Sequence, residues 1–281
     1  MPQQSVLNAI VARIAVGFVG DIMDMRGKKL HISLAVQEFF RNCDCLIGNF
    51  EATITRARKT GPAAQVHDPS ILDALAELFP PDRTFLSVAN NHAGDFPQAI
   101  FRQSLDSLRK RGFRVFGLRQ APFADIAGCV RVAGASMWSN RPCREIAPLA
   151  SLDKCRGPIA FSIAYPHWGY ELEMFPRPAI VHVGDRLLQT YGAVMGHHSH
   201  VPQPLAGLQC DNVTKPLAFS LGDFCTGLRI KKFQYGMICK VEIGPGEAGV
   251  WRIGAANWRY TRALPDERDA VKINFVPDLT L

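Results

Sequence analysis

Ile14-Ala15-Val16-Gly17-Phe18-Val19-Gly20-Asp21 is an apolar run that stops on a carboxylate. Its continuous apolar character reads as a strand buried on both faces, the kind found in parallel sheets covered by helices. The same arrangement recurs downstream. Cys45-Leu46-Ile47 reads as a second strand, ending at Gly48-Asn49, and residues 84–88 as a third that delivers Asn90-Asn91-His92. Between them, residues 33–40 have helical spacing, with Leu34, Val36, Phe39 and Phe40 available to one broad face. Asp68-Pro69 opens a further helix through Phe79, with Asp68 as cap and Pro69 at the first helical position. Residues 97–111 form a helix stopped by Gly112.

The alternation continues with strands at 113–118, 129–133 and 159–164, the last delivering His167. A helix over 180–191 then leads to Val194-Met195. Strands at 215–221, 235–243 and 249–256 follow without intervening helices, so the C-terminal third is more all-β. These elements predict an α/β protein with one domain over 11–262 and a tail over 263–281. The segment 141–156, with Pro142 and Pro148, reads as a long loop and not as a domain boundary.

Composition narrows the partners. A chain of 281 residues, 47% hydrophobic, can bury a large single core. The formal charge of +7 favours an acidic small molecule or polymer as substrate. The basic residues are scattered, with short clusters at Arg109-Lys110-Arg111 and 229–232, which argues against nucleic acid as a partner. No stretch reaches the ~18 apolar residues of a membrane helix. The eight cysteines lack CxxC pairs and disulfide-scaffold spacing, so they read as reduced thiols and the location as cytoplasmic. Cys43-Asp44-Cys45 reads as one buried and one half-buried residue at a strand edge.

In α/β architectures, ligands gather beyond the carboxyl ends of strands. The polar residues there are Asp21, Asn49 with Glu51, Asn91 with His92, His167, and the window Gly196-His197-His198-Ser199-His200. Three of the chain's eight histidines fall in that window. Carboxylate oxygens suit hard divalent ions and imidazoles suit manganese, iron or zinc, so the set is large enough for two metal ions. Each member alone has a plainer reading: Asp21 as a turn cap, Asn90-Asn91 as a left-handed turn, His92 as a helix cap, His167 as stacked on Trp168. Their shared position at strand ends is what favours a site.

These motifs also resemble a known family. Gly20-Asp21-Ile22-Met23, Asn49-Phe50-Glu51, Ala89-Asn90-Asn91-His92 with Asp95, His167-Trp168-Gly169-Tyr170-Glu171, the histidine window and Ser220-Leu221-Gly222-Asp223-Phe224 resemble, in order, the blocks of the bacterial capsule-synthesis CapA/PgsA family. That family is similar in turn to calcineurin-like metallophosphoesterases. The resemblance implies a four-layer αββα sandwich, two mixed β-sheets flanked by helices. It also implies two divalent ions, Mn, Fe or Zn. Asp21 would ligate the first ion and Glu51 would bridge. Asn91, His167 and His198 would hold the second, and His200 would return to the first. His92 would act as acid or phosphate-orienting group with Asp95 as its partner, and a metal-activated water as nucleophile. His197 reads as structural or as a support for the ligands.

The pattern is departed from in three places. Met23 stands where the phosphoesterases carry a histidine, which removes a nitrogen ligand that Asp24 would have to replace. Pro97 stands where glycine is common, and Asp223 where asparagine is common, as a further ligand or a partner of one. Three functions remain open: a metal-dependent hydrolase of a phosphoester or other acidic substrate, a protein of capsule or poly-γ-glutamate synthesis or processing, and a non-catalytic metal-stabilised interaction module. Trp251, Trp258 and Tyr260 read as packing between sheets rather than lining a polymer groove.

Overall fold

A computed structural model describes residues 3–279 except 24, 26, 155, 156 and 267–269. The run 14–21 lies within the strand Ile14–Ile22, near the middle of a ten-stranded sheet. Across that sheet the order is Lys29–Ile32, Ala270–Val276, Trp251–Pro265, Tyr235–Pro245, Ile14–Ile22, Cys45–Phe50, Thr84–Ser87 and Arg114–Phe116. Gln3–Val6 and Asp223–Cys225 pair alongside Trp251–Pro265 and Ile14–Ile22. The four strands from Ile14–Ile22 to Arg114–Phe116 run parallel, as expected for strands linked by crossover helices.

The second sheet has six strands in the order Leu205–Cys210, Val213–Ala218, Ala193–Met195, Phe161–His167, Val130–Ser136 and Phe123–Ile126. Its four central strands are parallel, and its two edges antiparallel. The two sheets pack face to face through Ile14, Val16 and Phe18 of one and Val130, Val132, Ile163 and Met195 of the other. Trp251, Trp258 and Tyr260 pack against this inner core. Helices α1 (Leu34–Phe40), α2 (Ile71–Leu78) and α3 (Gln98–Lys110) contribute to the core on the outer face of the larger sheet. Helix α4 (Pro178–Leu188) covers the smaller one. The result is helix, sheet, sheet, helix.

Several local expectations change. Leu34 is 81% exposed, because α1 starts there and turns only Val36 and Phe40 fully inward. Helix α2 begins at Ile71, with Ser70 at the cap position, since the Asp68 carboxylate instead accepts a hydrogen bond from the Gly27 amide at 2.6 Å. Helix α4 starts earlier than expected, with Pro178 at its first position. Cys43 and Cys45 are both buried. Burial pushes the Cys43 thiol up to about 11.

Within the expected tail over 263–281, residues 263–265 and 270–276 are strand. Trp251–Pro265 runs past 262, and Ala270–Val276 pairs with it on one side and with Lys29–Ile32 on the other. Val271 and Ile273 are buried while Lys272 and Asn274 face outward, a period of two that fixes the register.

Ile163 sits fully buried between the sheets. Ile163→Ala is expected to cost about 2–5 kcal/mol in urea denaturation, the removed methyls plus the cavity they leave. A loss well below 1 kcal/mol would mean that the sheets do not share a close-packed core.

Candidate metal centre

Parallel strands in both sheets end at the same edge, and there the polar residues meet. Asp21 pairs in register with Asn49 on one side and Asp223 on the other. Glu51 follows Asn49 directly after Phe50, and Asn90, Asn91 and His92 follow Thr84–Ser87. From the smaller sheet, His167 ends its strand and bridges to His197, and the 196–200 window follows Ala193–Met195. The window fits only because residue 196 is glycine: a Cβ there would lie 2.3 Å from the Phe219 carbonyl oxygen and 2.3 Å from Trp168 Nε1. His198 and His200 both take positive φ, +101° and +59°, an uncommon backbone state for side-chain-bearing residues. The His198 amide donates to Asp21 Oδ2 at 2.8 Å, which helps hold that backbone.

Asp21, Glu51, Asn91, His167, His198 and His200 come together as a buried group. Asp21 Oδ1 accepts from Asn49 Nδ2 at 2.7 Å and lies 3.0 Å from His197 Nδ1. His167 Nε2 is 2.8 Å from Asn91 Oδ1. The His167 ring packs on His197 and His198, with centroids 4.9 and 4.3 Å away, and not by stacking on Trp168. His200 Nδ1 is 2.9 Å from Asp223 Oδ1, and His92 Nδ1 is 2.7 Å from Asp95 Oδ2. Asp95 is held in turn by the Gln65 amide. His92 does not cap α3; its carbonyl closes a turn with the Asp95 amide.

Glu51 Oε1 is buried without a hydrogen-bond partner. Around it stand Nε2 of His167 at 3.7 Å, of His200 at 3.8 Å and of His92 at 3.9 Å. These spacings are too long for hydrogen bonds, yet they suit ligands sharing an ion, since two donors each about 2.1 Å from a metal sit roughly 3–4 Å apart. One orientation recurs: His200 and His92 each give one ring nitrogen to a carboxylate and turn the other toward Glu51. Carboxylates commonly orient metal-binding imidazoles in this way. The donor set therefore fits divalent ions, with Glu51 between groups from the two sheets.

Electrostatics point the same way. Burial, then the charges of Asp21 and Asp223, push the Glu51 carboxyl well above its usual range. Burial acts to raise Asp21 too, but the hydrogen bond and charge of His197, then the charge of His200, hold it below the usual carboxylate range. Burial, followed by neighbouring histidines, keeps His167 well below its ordinary value. His198 is pushed down to about 3 by burial and then by His200, so both rings are neutral and able to ligate. In the His200–Asp223 pair, burial would lower His200, but the charge and hydrogen bond of Asp223 raise it to about 9. Burial raises Asp223 to about 8 against the pull of His200. The pair shares one titratable proton, which an ion bound at His200 Nε2 would displace, leaving Nδ1 directed at the Asp223 carboxylate.

Some members were not in the expected ligand set. His197, expected to be structural or to support the ligands, touches both Asp21 and His167, and Asn49 touches Asp21, Glu51 and His167. Glu171 brings a carboxylate oxygen within 4.8 Å of nitrogens of His198 and His200. Met23 packs in the interior, and Asp24 lies outside the described residues.

The sequence pattern of the bacterial capsule synthesis protein PGA_cap family matches residues 15–134 and 144–227, which include every strand-end residue described above. The chain belongs to this family. Over 92% of its length it is 23% identical to the PGA biosynthesis protein CapA of Bacillus subtilis (strain 168), of which the match spans 75%. Among solved structures, this PGA_cap chain is similar to a hypothetical protein from Thermus thermophilus, with TM-score 0.55, 16% identity, and 88% and 98% of the two chains covered. That likeness is one of fold. The calcineurin-like phosphoesterase YfkN from Bacillus subtilis superposes with TM-score 0.44 and 10% identity over 88% of this chain and 90% of its own.

Elemental analysis of protein purified with added Mn²⁺ or Zn²⁺ should find metal bound to the wild type and lost when His198→Ala and His200→Ala are combined. Equal metal content in the two proteins would show that this cluster holds none.

Proposed function

We propose that this PGA_cap protein is a metal-dependent hydrolase of a phosphoester or related acidic substrate. The observation that carries the reading is the unpartnered Glu51 Oε1 facing three ring nitrogens beside the His92–Asp95 pair. Asp21, Glu51 and His200 would hold one ion, and Glu51, Asn91, His167 and His198 the other, with Mn, Fe or Zn matching the donors. Bound ions would supply Lewis acidity for a phosphoryl oxygen and lower the pKa of a coordinated water.

The protein's own groups account for the remaining chemistry. Asp95 fixes the His92 ring, so that Nε2 faces the centre and can hold a proton for a leaving oxygen. The His200–Asp223 and Asn49–Asp21 contacts keep the ligands oriented. Burial of nearly every donor excludes water from around the reacting groups, and a chain carrying +7 draws anions toward it. Among the described residues no helix is long and apolar enough to cross a membrane. The buried free thiols of Cys43, Cys45, Cys225 and Cys239 suit a reducing compartment, and we include the cytoplasm in the proposal.

A second reading, synthesis or processing of an acidic capsule polymer, is favoured by the name of the Bacillus subtilis relative. Substrates separate the two. With Mn²⁺ added, an aryl phosphate monoester or diester should be hydrolysed, and His92→Ala should lower kcat about 10²- to 10⁴-fold while metal content stays unchanged. Cleavage of a γ-glutamyl polymer in place of phosphoesters would favour the second reading. No turnover on any of them, with metal retained, would leave a metal-stabilised interaction module.

A further inference from the structure

The buried cluster has one solvent-facing member with no assigned part. Glu171 is exposed, yet one of its carboxylate oxygens lies within 4.8 Å of ring nitrogens of both His198 and His200. Among the described residues no hydrogen bond or ion pair holds that carboxylate, whereas Glu173, two positions on, is tied to Arg177 at 2.6 Å. His198 Nδ1, in turn, is buried without a hydrogen-bond partner.

The loop that presents Glu171 is pinned on both sides. The Leu172 amide donates to the Ser199 carbonyl at 2.7 Å, and Gln203 Nε2 donates to the Glu173 carbonyl at 2.7 Å. Trp138 Nε1 donates to the Gly169 carbonyl, and the Arg177 guanidinium lies 3.6 Å from the centre of the Tyr170 ring. Gly169 and Leu172 both take positive φ, so the chain turns sharply on either side of Tyr170 and Glu171. The Leu172 and Gln203 contacts fasten the loop to the segment, 199–203, that follows His198. The carboxylate is thus held over the histidines by the fold rather than by a partner of its own.

We propose that Glu171 is the outermost ligand of the metal centre: its carboxylate, set beside His200 of one ion and His198 of the other, adds an oxygen ligand at the mouth and gives way to an oxygen of an incoming anion. This rests on the metal-dependent reading above and adds to it a residue and a mode of anion binding. A carboxylate and a phosphate oxygen have the same charge sign and the same preference for hard ions, so they compete for one position. Removing the carboxylate's charge has two effects of opposite sign. The ion is held less tightly, and an anion is held more tightly.

Isothermal titration tests both on wild-type protein and Glu171→Gln. Stripped of metal, the variant is expected to bind Mn²⁺ roughly 10- to 100-fold more weakly, the range found when groups supporting a metal site are removed. At saturating Mn²⁺, inorganic phosphate should bind the variant more tightly than the wild type. Equal Mn²⁺ affinity in the two proteins, or weaker phosphate binding by the variant, overturns the assignment of Glu171. Wild-type protein that takes up no Mn²⁺ overturns the metal-dependent reading itself and the assignment with it.

Discussion

Three fully buried carboxylates, Asp21, Glu51 and Asp223, lie in one cluster. Removing such charges from water is costly unless positive charge accompanies them. Contacts from His197 and Asn49 offset part of that cost at Asp21, and the His200 ring does so at Asp223. Glu51 is left with an oxygen that nothing in the protein satisfies. The neutral state of His167 and His198 follows from the same burial, and it makes them donors to a cation instead of cations themselves. With Glu51 unsatisfied and those two rings neutral, a dication is the simplest complement.

The fold makes this cluster possible by ending parallel strands of both sheets at one edge. Asp21, Asn49 and Asp223 are neighbours because their strands are in register, and His167 meets His197 for the same reason in the second sheet. Tight backbone approach is part of the arrangement. Gly196 leaves room for Trp168 Nε1 and the Phe219 carbonyl, and the left-handed turns at His198 and His200 then aim both rings back at Glu51's surroundings.

Much of this was legible in the chain. Continuous apolar runs ending on Asp21, Asn49 and His167 gave strand identity and the edge at which polar groups would gather, because a strand buried on both faces has no other place for a charge. What could not be read depended on contacts across the chain. Asp68 is a sound helix cap by type, but the Gly27 amide takes its carboxylate. Leu34 fits the apolar stripe by spacing but falls on the first turn, outside the packed face. The strand Ala270–Val276 has the right alternation but is short, and it becomes a strand only between two partners distant in sequence. His197 and Asn49 were placed at the right edge, but their contacts with Asp21 follow from register, which a single sequence does not reveal.

The two sheets divide the donors between them. Asp21, Asn49, Glu51, Asn91 and His92 come from the larger, and His167, His197, His198 and His200 from the smaller. An ion bound among them would act as a rivet between layers that otherwise adhere through apolar side chains. Affinity for the ion and resistance of the whole sandwich to unfolding then become two faces of one equilibrium, coupled by mass action. Free metal concentration would set not only how many molecules are competent but how many remain folded.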